Sequence, residues 1–345
     1  MKPETLRARL EDFPRLKLAE YPTPLYRLSR LSAELGRELY IKRDDLIGPA
    51  MGGNKCRKLE YLMADAMARR AKRVVTFGGL QSNHARMTAA VARRCGIEPH
   101  LFFFEPRPDR RPGNLLLDEL LGAHMHFVPF GGGGQASMTL ETANRLVRWL
   151  ARLRVGPHYF IPVGGHAWRG CLGYVQAACE LTEQTRELGI EDAWVVVAAG
   201  SGGTLAGLLA GVALCGSQLK PLGIDVGKLW KGFPASIAAM AGELCARLGE
   251  PRHFAPADVP LVEGRYVGDG YGKPSLEGNT AIARLARSEG IVLDPIYTGK
   301  AFAGMLDLLE RGELEGESPI VFLHTGGAPG LFAFPHLGEG GGRDG

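Results

Sequence analysis

The chain is 345 residues long, 45% apolar and 23% charged, with 41 Lys and Arg against 37 Asp and Glu for a net charge of +4. A mean hydropathy of −0.05 fits neither a disordered polymer nor a membrane protein, and arginines scattered without a long basic run give no footprint for nucleic acid. At ~150 residues per domain the length predicts two packed domains sharing a cleft.

The charged N-terminal stretch MKPETLRARLEDFPRL and the lack of any long apolar run predict a cytoplasmic protein. The six cysteines include no Cys-x-x-Cys pair and read as reduced thiols, and the histidines show no metal-ligand spacing. Along the chain, Cys56 to Lys72 predicts a helix with Leu59, Leu62, Met63, Ala66 and Met67 on one stripe. A strand VVTF (Val74 to Phe77) follows, then the loop GGLQSNH and the helix ARMTAAVARRC, for which Ser82 and Asn83 are N-cap candidates. Further strands are predicted at HLFFF (His100 to Phe104), WVVVAA (Trp194 to Ala199), PLGIDV (Pro221 to Val226) and PIVFLH (Pro319 to His324). Glycine runs at Gly131 to Gly134 and Gly164 to Gly165 read as hinges or turns, and GEGGGRDG as a frayed tail. Strand, loop and helix repeating in this order predict parallel α/β sheets, whose ligands sit at the carboxyl ends of the strands.

The loops after those strands carry the chemistry. Glycine is enriched, at 48 residues, as expected where backbone approaches a ligand. Gly200, Ser201, Gly202, Gly203 and Thr204 run from a buried strand into the helix former LAGLLAGVAL, which reads as a phosphate cradle or as a tight strand-to-helix turn. No Gly-Lys-Ser/Thr follows, so this is not a Walker loop. Gly200 and Gly202, with Asp225 ending the next strand, partly match a dinucleotide fingerprint, although Leu205 stands where a small residue belongs. Lys55 follows Met51, Gly52, Gly53 and Asn54 and precedes Arg57 and Lys58. Neighbouring cations and partial burial favour the neutral amine that an imine-forming lysine needs. A phosphate cradle together with such a lysine points to pyridoxal 5'-phosphate.

GGNKCRKLE, GGLQSNHAR, GSGGTLAG, DPIYTGKAFAG and HTGGAPGLFAF, in this order and spacing, resemble the pyridoxal-phosphate-dependent family of D-cysteine desulfhydrase and 1-aminocyclopropane-1-carboxylate (ACC) deaminase. The resemblance runs from about YPTPLYRL to the end of the chain. It implies an α/β structure of fold type II, like the tryptophan synthase β subunit: two open twisted, mostly parallel sheets flanked by helices, with the cofactor in the interdomain cleft. Residues 1–52 and 163–338 would form the large domain, 53–162 a small inserted domain and 339–345 a flexible tail. Lys55 matches the family's imine-forming lysine, which also moves the Cα proton. Lys58 matches a side chain that holds the phosphate beside Gly200 to Thr204, and Asn83 matches the residue bonded to the cofactor's 3-hydroxyl. Gln81, Ser82 and His84 match the loop that receives the substrate carboxylate, and Tyr271 and Tyr297 match two active-site tyrosines.

Thr298 matches the residue facing the pyridine nitrogen, where ACC deaminases carry Glu, and Thr325 stands where they carry Leu. A hydroxyl stabilises a protonated ring less than a carboxylate does, which favours expelling a good leaving group such as a thiolate over opening a cyclopropane. The implied activity is β-elimination of D-cysteine to pyruvate, ammonia and hydrogen sulfide by a homodimer acting on a small amino acid. ACC deamination is the alternative within the family. Trp168, Arg169, Lys228, Trp230 and Lys231 depart from its pattern, as do Asp269 and Lys273. If Arg169 or Lys228 lined the entrance, sulfonate-bearing cysteate would fit as substrate. A nicotinamide oxidoreductase using Asp225 and a non-catalytic pyridoxal-phosphate-binding protein are the readings from other classes.

Overall fold

The computed structural model describes residues 1–129 and 138–334. Its strands are β1 (Leu25–Arg27), β2 (Leu39–Arg43), β3 (Arg73–Gly78), β4 (Glu98–Phe103), β5 (His124–Phe127), β6 (Tyr159–Phe160), β7 (Trp194–Ala199), β8 (Lys220–Asp225), β9 (Leu261–Val262) and β10 (Ile320–His324). Its helices are α1 (Pro3–Glu11), α2 (Ser29–Leu35), α3 (Lys55–Ala68), α4 (Asn83–Arg94), α5 (Asn114–Leu120), α6 (Leu140–Arg154), α7 (Trp168–Glu187), α8 (Gly203–Cys215), α9 (Phe233–Arg247), α10 (Leu276–Glu289), α11 (Thr298–Glu310) and α12 (Ala328–Leu331).

The apolar runs form the sheet centres because both faces of each strand are covered by helices. One sheet has the order β1-β2-β10-β7-β8-β9 and the other β5-β4-β3-β6. Among the described residues only β1 runs antiparallel to its neighbour. Register is continuous at the centre: Ile320 pairs with Leu39 on one side and Trp194 on the other, and Val74 pairs with Pro99. All five strands expected from the sequence are present, each within two residues of its expected ends. Gly131 to Gly134 and the GEGGGRDG tail lie outside the described residues. Among the described residues no helix is long and apolar enough to cross a membrane, and the six cysteines are free thiols.

Glycine enrichment has a second cause beyond ligand loops. A Cβ on Gly211 of α8 would stand 2.5 Å from the Ala178 Cβ of α7, and one on Gly207 would stand 2.5 Å from the Tyr174 Cβ. The α7 and α8 backbones thus touch along a glycine seam, and α7 in turn supports α3.

The segment carrying Lys55 is anchored from beneath. Arg57 is buried and donates to Asp44 through Nε and Nη2 at 2.8 Å each, and to Glu180 at 2.9 and 3.0 Å. Tyr174 Oη donates to Asp44 at 2.7 Å, and Lys42 pairs with Glu180 at 2.5 Å. With every charge paired and hydrogen-bonded, this cluster tolerates burial and ties α3 to β2 and α7.

Candidate active site

The carboxyl ends of β3, β7 and β10 face the start of α3 across a cavity. From β7 comes the turn Gly200 to Thr204, with Gly202 at φ +77°, a conformation that suits glycine. From β3 comes the loop whose Ser82 caps α4, accepting from Ala85 N at 3.2 Å as the sequence predicts. Asn54 stitches the Lys55 turn to both β7 and β10: its Nδ2 donates to Thr204 Oγ1 at 3.2 Å and its backbone N–H to Thr325 O at 3.0 Å.

Lys55, Ser82, Asn83, His84, Gly200, Ser201, Gly202, Thr204, Tyr271, Tyr297 and Thr325 all border the cavity. Lys58 lies fully buried just behind, donating to Gly164 O at 3.0 Å, and a Cβ on Gly203 would stand 2.9 Å from its Nζ. Burial first, and then the Lys58 charge, hold the Lys55 ammonium well below its ordinary pKa. Burial also lowers Lys58. The sequence reading has Arg57 and Lys58 both acting on Lys55. In the fold Arg57 points away into its carboxylates, so Lys58 alone has that effect.

Two tyrosines close another wall. Tyr271 and Tyr297 share a 2.5 Å hydrogen bond between hydroxyls, and burial pushes Tyr271 up to about 12 and Tyr297 well above its usual value, so both stay protonated at neutral pH. His84 Nε2 bonds Thr76 Oγ1 at 2.9 Å, and its pKa falls well below the usual value through burial and the two lysines. A second cavity opens beyond Tyr271 and is bordered by Gln81, Glu105, Arg110 and Lys273.

Several expected residues lie elsewhere. Gln81 does not border the first cavity: its Oε1 accepts from Asn114 N at 2.8 Å and its Nε2 donates to Pro112 O at 2.9 Å. Thr298 is fully buried behind the wall, where Oγ1 donates to Asp294 at 2.6 Å and accepts from Asp294 N at 2.8 Å. Thr325 is the hydroxyl residue of that pair at the cavity surface. Trp168 is sandwiched by Arg169 and Arg247, at 4.2 and 4.0 Å, and packs on Phe13 away from the cavity. Arg169 pairs with Asp65. Lys228 is also absent from the lining, so neither cation offered for a sulfonate is in place. Asp225 accepts from Gly227 N and Lys228 N at 3.0 and 2.9 Å, a turn-forming role that replaces the ribose-binding one.

Two residues with a hold on the phosphate turn went unassigned. Trp230 Nε1 donates to Gly200 O at 2.8 Å, and His166 Nδ1 donates to Ser201 O. Burial, reinforced by Lys58, lowers His166 to about 4, so it acts as a neutral donor. The legible signal was position, since GGHAWRG and IDVGKLWKGF both depart from the expected pattern.

The residues fit a phosphorylated carbonyl cofactor. Buried Lys58 and half-buried Lys55 approach one cavity whose lining, among the described residues, contains no Asp or Glu. The buried ammonium of Lys58, which meets only a backbone carbonyl, calls for an anion. The start of α8 presents a helix N-terminus beside Lys58, suited to a phosphate. Lys55 Nζ makes no hydrogen bond or ion pair among the described residues, which leaves it available to bond a carbonyl carbon.

Comparison with known proteins agrees with the geometry. The family model for pyridoxal-phosphate dependent enzymes matches residues 16–326. A D-cysteine desulfhydrase of Yersinia enterocolitica is 43% identical over 336 residues, covering 96% of this chain and 98% of that protein. One from Klebsiella pneumoniae is 41% identical, covering 95% and 98%. A crystal structure of an ACC deaminase homologue is 37% identical with a TM-score of 0.83, covering 96% of this chain and 97% of that one. Sheet order, cavity and relatives converge: the chain belongs to the pyridoxal-phosphate dependent enzymes, of fold type II, and its cofactor is pyridoxal 5'-phosphate.

Proposed function

We propose that the chain is a carbon–sulfur lyase that converts D-cysteine and water to pyruvate, ammonia and hydrogen sulfide. The observation that carries this reading is the cavity's makeup: Lys55 with a depressed pKa, the hydroxyl of Thr325, and no carboxylate among the described lining residues. The full-length similarity to curated D-cysteine desulfhydrases supports it.

Pyridoxal phosphate supplies a carbonyl that condenses with an amine and a ring that accepts the electron pair left when a Cα–H bond breaks. Lys58, the amides of Ser201 to Thr204 and the α8 N-terminus hold its phosphate. Thr325 supplies a neutral hydroxyl at the cavity wall, so the ring is a modest electron sink suited to a good leaving group. Asn83, which borders the cavity, would donate to the cofactor's phenolic oxygen. The N-terminus of α4, with Ser82 and His84, receives the substrate carboxylate, as helix N-termini favour anions. Lys55, whose ammonium burial and the Lys58 charge disfavour, takes the Cα proton. Tyr271 and Tyr297, both protonated, orient the substrate and donate a proton as thiolate leaves Cβ.

The four-stranded sheet, drawn entirely from residues 73–160, supports the proposed division into a small domain over 53–162 and a large one over 1–52 and 163–338. A homodimer and a cytoplasmic location complete the reading; light scattering and cell fractionation test them.

The deciding experiment follows keto acid and sulfide with D-cysteine, L-cysteine, cysteate, D-serine and ACC. D-cysteine should give pyruvate and sulfide, with little or no α-ketobutyrate from ACC. Comparable turnover of ACC would overturn the choice of reaction, and cysteate as the best substrate would move the leaving group from thiolate to sulfite.

A further inference from the structure

The amide of Asn83 has only one orientation that satisfies its surroundings, and Asn114 imposes it. Arg86, fully buried, donates from Nε to Asn114 Oδ1 at 2.7 Å. A guanidinium has donors only, so the Asn114 oxygen must face it. Asn114 Nδ2 therefore turns to the other side, where it donates to Gln81 O and to Asn83 Oδ1, both at 3.0 Å. With its oxygen engaged there, Asn83 has its own Nδ2 left as a donor for the cavity that it borders. Arg86 also donates to Gly52 O at 2.9 Å and to Ala50 O, in the turn that leads into Lys55.

We propose that Asn114 and Arg86 are positioning residues for the cofactor: they fix Asn83 as a hydrogen-bond donor to its phenolic oxygen and lock that donor to the Lys55 turn. Neither residue borders the cavity, and their effect travels through amide polarity. This inference rests on the reading that Lys55 binds pyridoxal phosphate with Asn83 at the phenolic oxygen. A donor at that oxygen stabilises its negative charge and weakens its hold on the proton shared with the lysine nitrogen. Removing the donor strengthens that hold, so the proton is lost at higher pH.

The test is the pH midpoint of the visible absorption band of the cofactor-loaded protein, read without substrate. Asn114→Asp offers acceptors where Asn114 donates, with Arg86 as counter-charge, and reverses the Asn83 amide. The midpoint should rise by about one pH unit, the scale of one hydrogen bond to a charged group. Asn114→Ala frees the amide without reversing it and should raise the midpoint by about half as much. Val147→Ala, a core substitution outside this hydrogen-bond network, should lower stability and leave the midpoint in place. Midpoints unchanged in both Asn114 variants would overturn the inference, as would an equal rise in Val147→Ala; if Asn114→Asp does not fold, Asn114→Ala decides. Borohydride reduction and peptide mapping of the same wild-type sample separate the two levels. A phosphopyridoxyl group on any lysine other than Lys55 sinks the underlying reading, whereas a label on Lys55 with unmoved midpoints sinks only the role of Asn114.

Discussion

Lys58 lies one helical turn beyond Lys55, with its ammonium against the carbonyl of Gly164 at 3.0 Å and no carboxylate partner among the described residues. The phosphate should supply the missing negative charge. Lys58→Met should weaken cofactor retention by about 10- to 100-fold, the worth of a hydrogen bond to a charged group. Equilibrium dialysis of the loaded protein checks this, and unchanged retention would place the phosphate elsewhere.

Trp230 and Gly200 form a second control on the same turn. Trp230→Phe keeps the ring but removes the donor to the Gly200 carbonyl. Retention should fall by about 5-fold, as a net hydrogen bond of roughly 1 kcal/mol is lost. The same dialysis reads it, and a loss under twofold would show that water replaces the indole.

Arg57 answers two buried carboxylates at once. Arg57→Met leaves Asp44 with only a tyrosine donor and threonine contacts, and should cost about 3–5 kcal/mol. Urea unfolding should show a lower midpoint with an unchanged slope. A midpoint equal to that of the wild type would mean that Lys42 neutralises the cluster alone.

Thr298→Glu forces a carboxylate into a fully buried position beside Asp294, which already accepts from the backbone N–H groups of Ile296, Tyr297 and Thr298. Stability should drop by about 3 kcal/mol or more, and sulfide release should fall with it. Thr298→Ser retains the hydroxyl bond and should retain both. Thermal melts beside a sulfide assay distinguish these outcomes.

Asp118 gives a pH signature. Burial pushes its carboxyl up to about 8, against the opposing pull of Arg86, and neither oxygen has a hydrogen-bond partner among the described residues. Its folded pKa exceeds its unfolded one, so from about pH 4 to 8 the folded state holds a proton that the unfolded state has released. That stability is fully present below about pH 4 and falls by up to about 1.4 kcal/mol per unit as pH rises through the window. Asp118→Asn should flatten this slope and be the more stable form at pH 8, measured by urea unfolding across the range. Parallel stability curves for the two proteins would show that Asp118 is ionised throughout.

Local order alone determined much of this molecule. The runs VVTF, WVVVAA and PIVFLH became sheet centres because β-branched and apolar residues buried on both faces suit few other structures. Ser82 caps α4 because its hydroxyl oxygen can reach an amide three residues on. The glycine turn after β7 meets the α8 N-terminus because they are consecutive, and Lys55 opens α3 for the same reason.

Tertiary structure decided which way side chains point and what partners them. Arg57 and Lys58 are adjacent in sequence, yet the helix turns one to Asp44 and Glu180 and the other toward the phosphate turn, because successive residues project about 100° apart. Thr298 lies behind the wall and Thr325 on it, a difference of depth that a motif does not encode. Asn114 gives Asn83 its polarity from 31 residues away, through hydrogen bonds that exist only once β3, β4 and their helices have packed. A hydrogen bond needs direction as well as proximity, and direction is a property of the assembled fold.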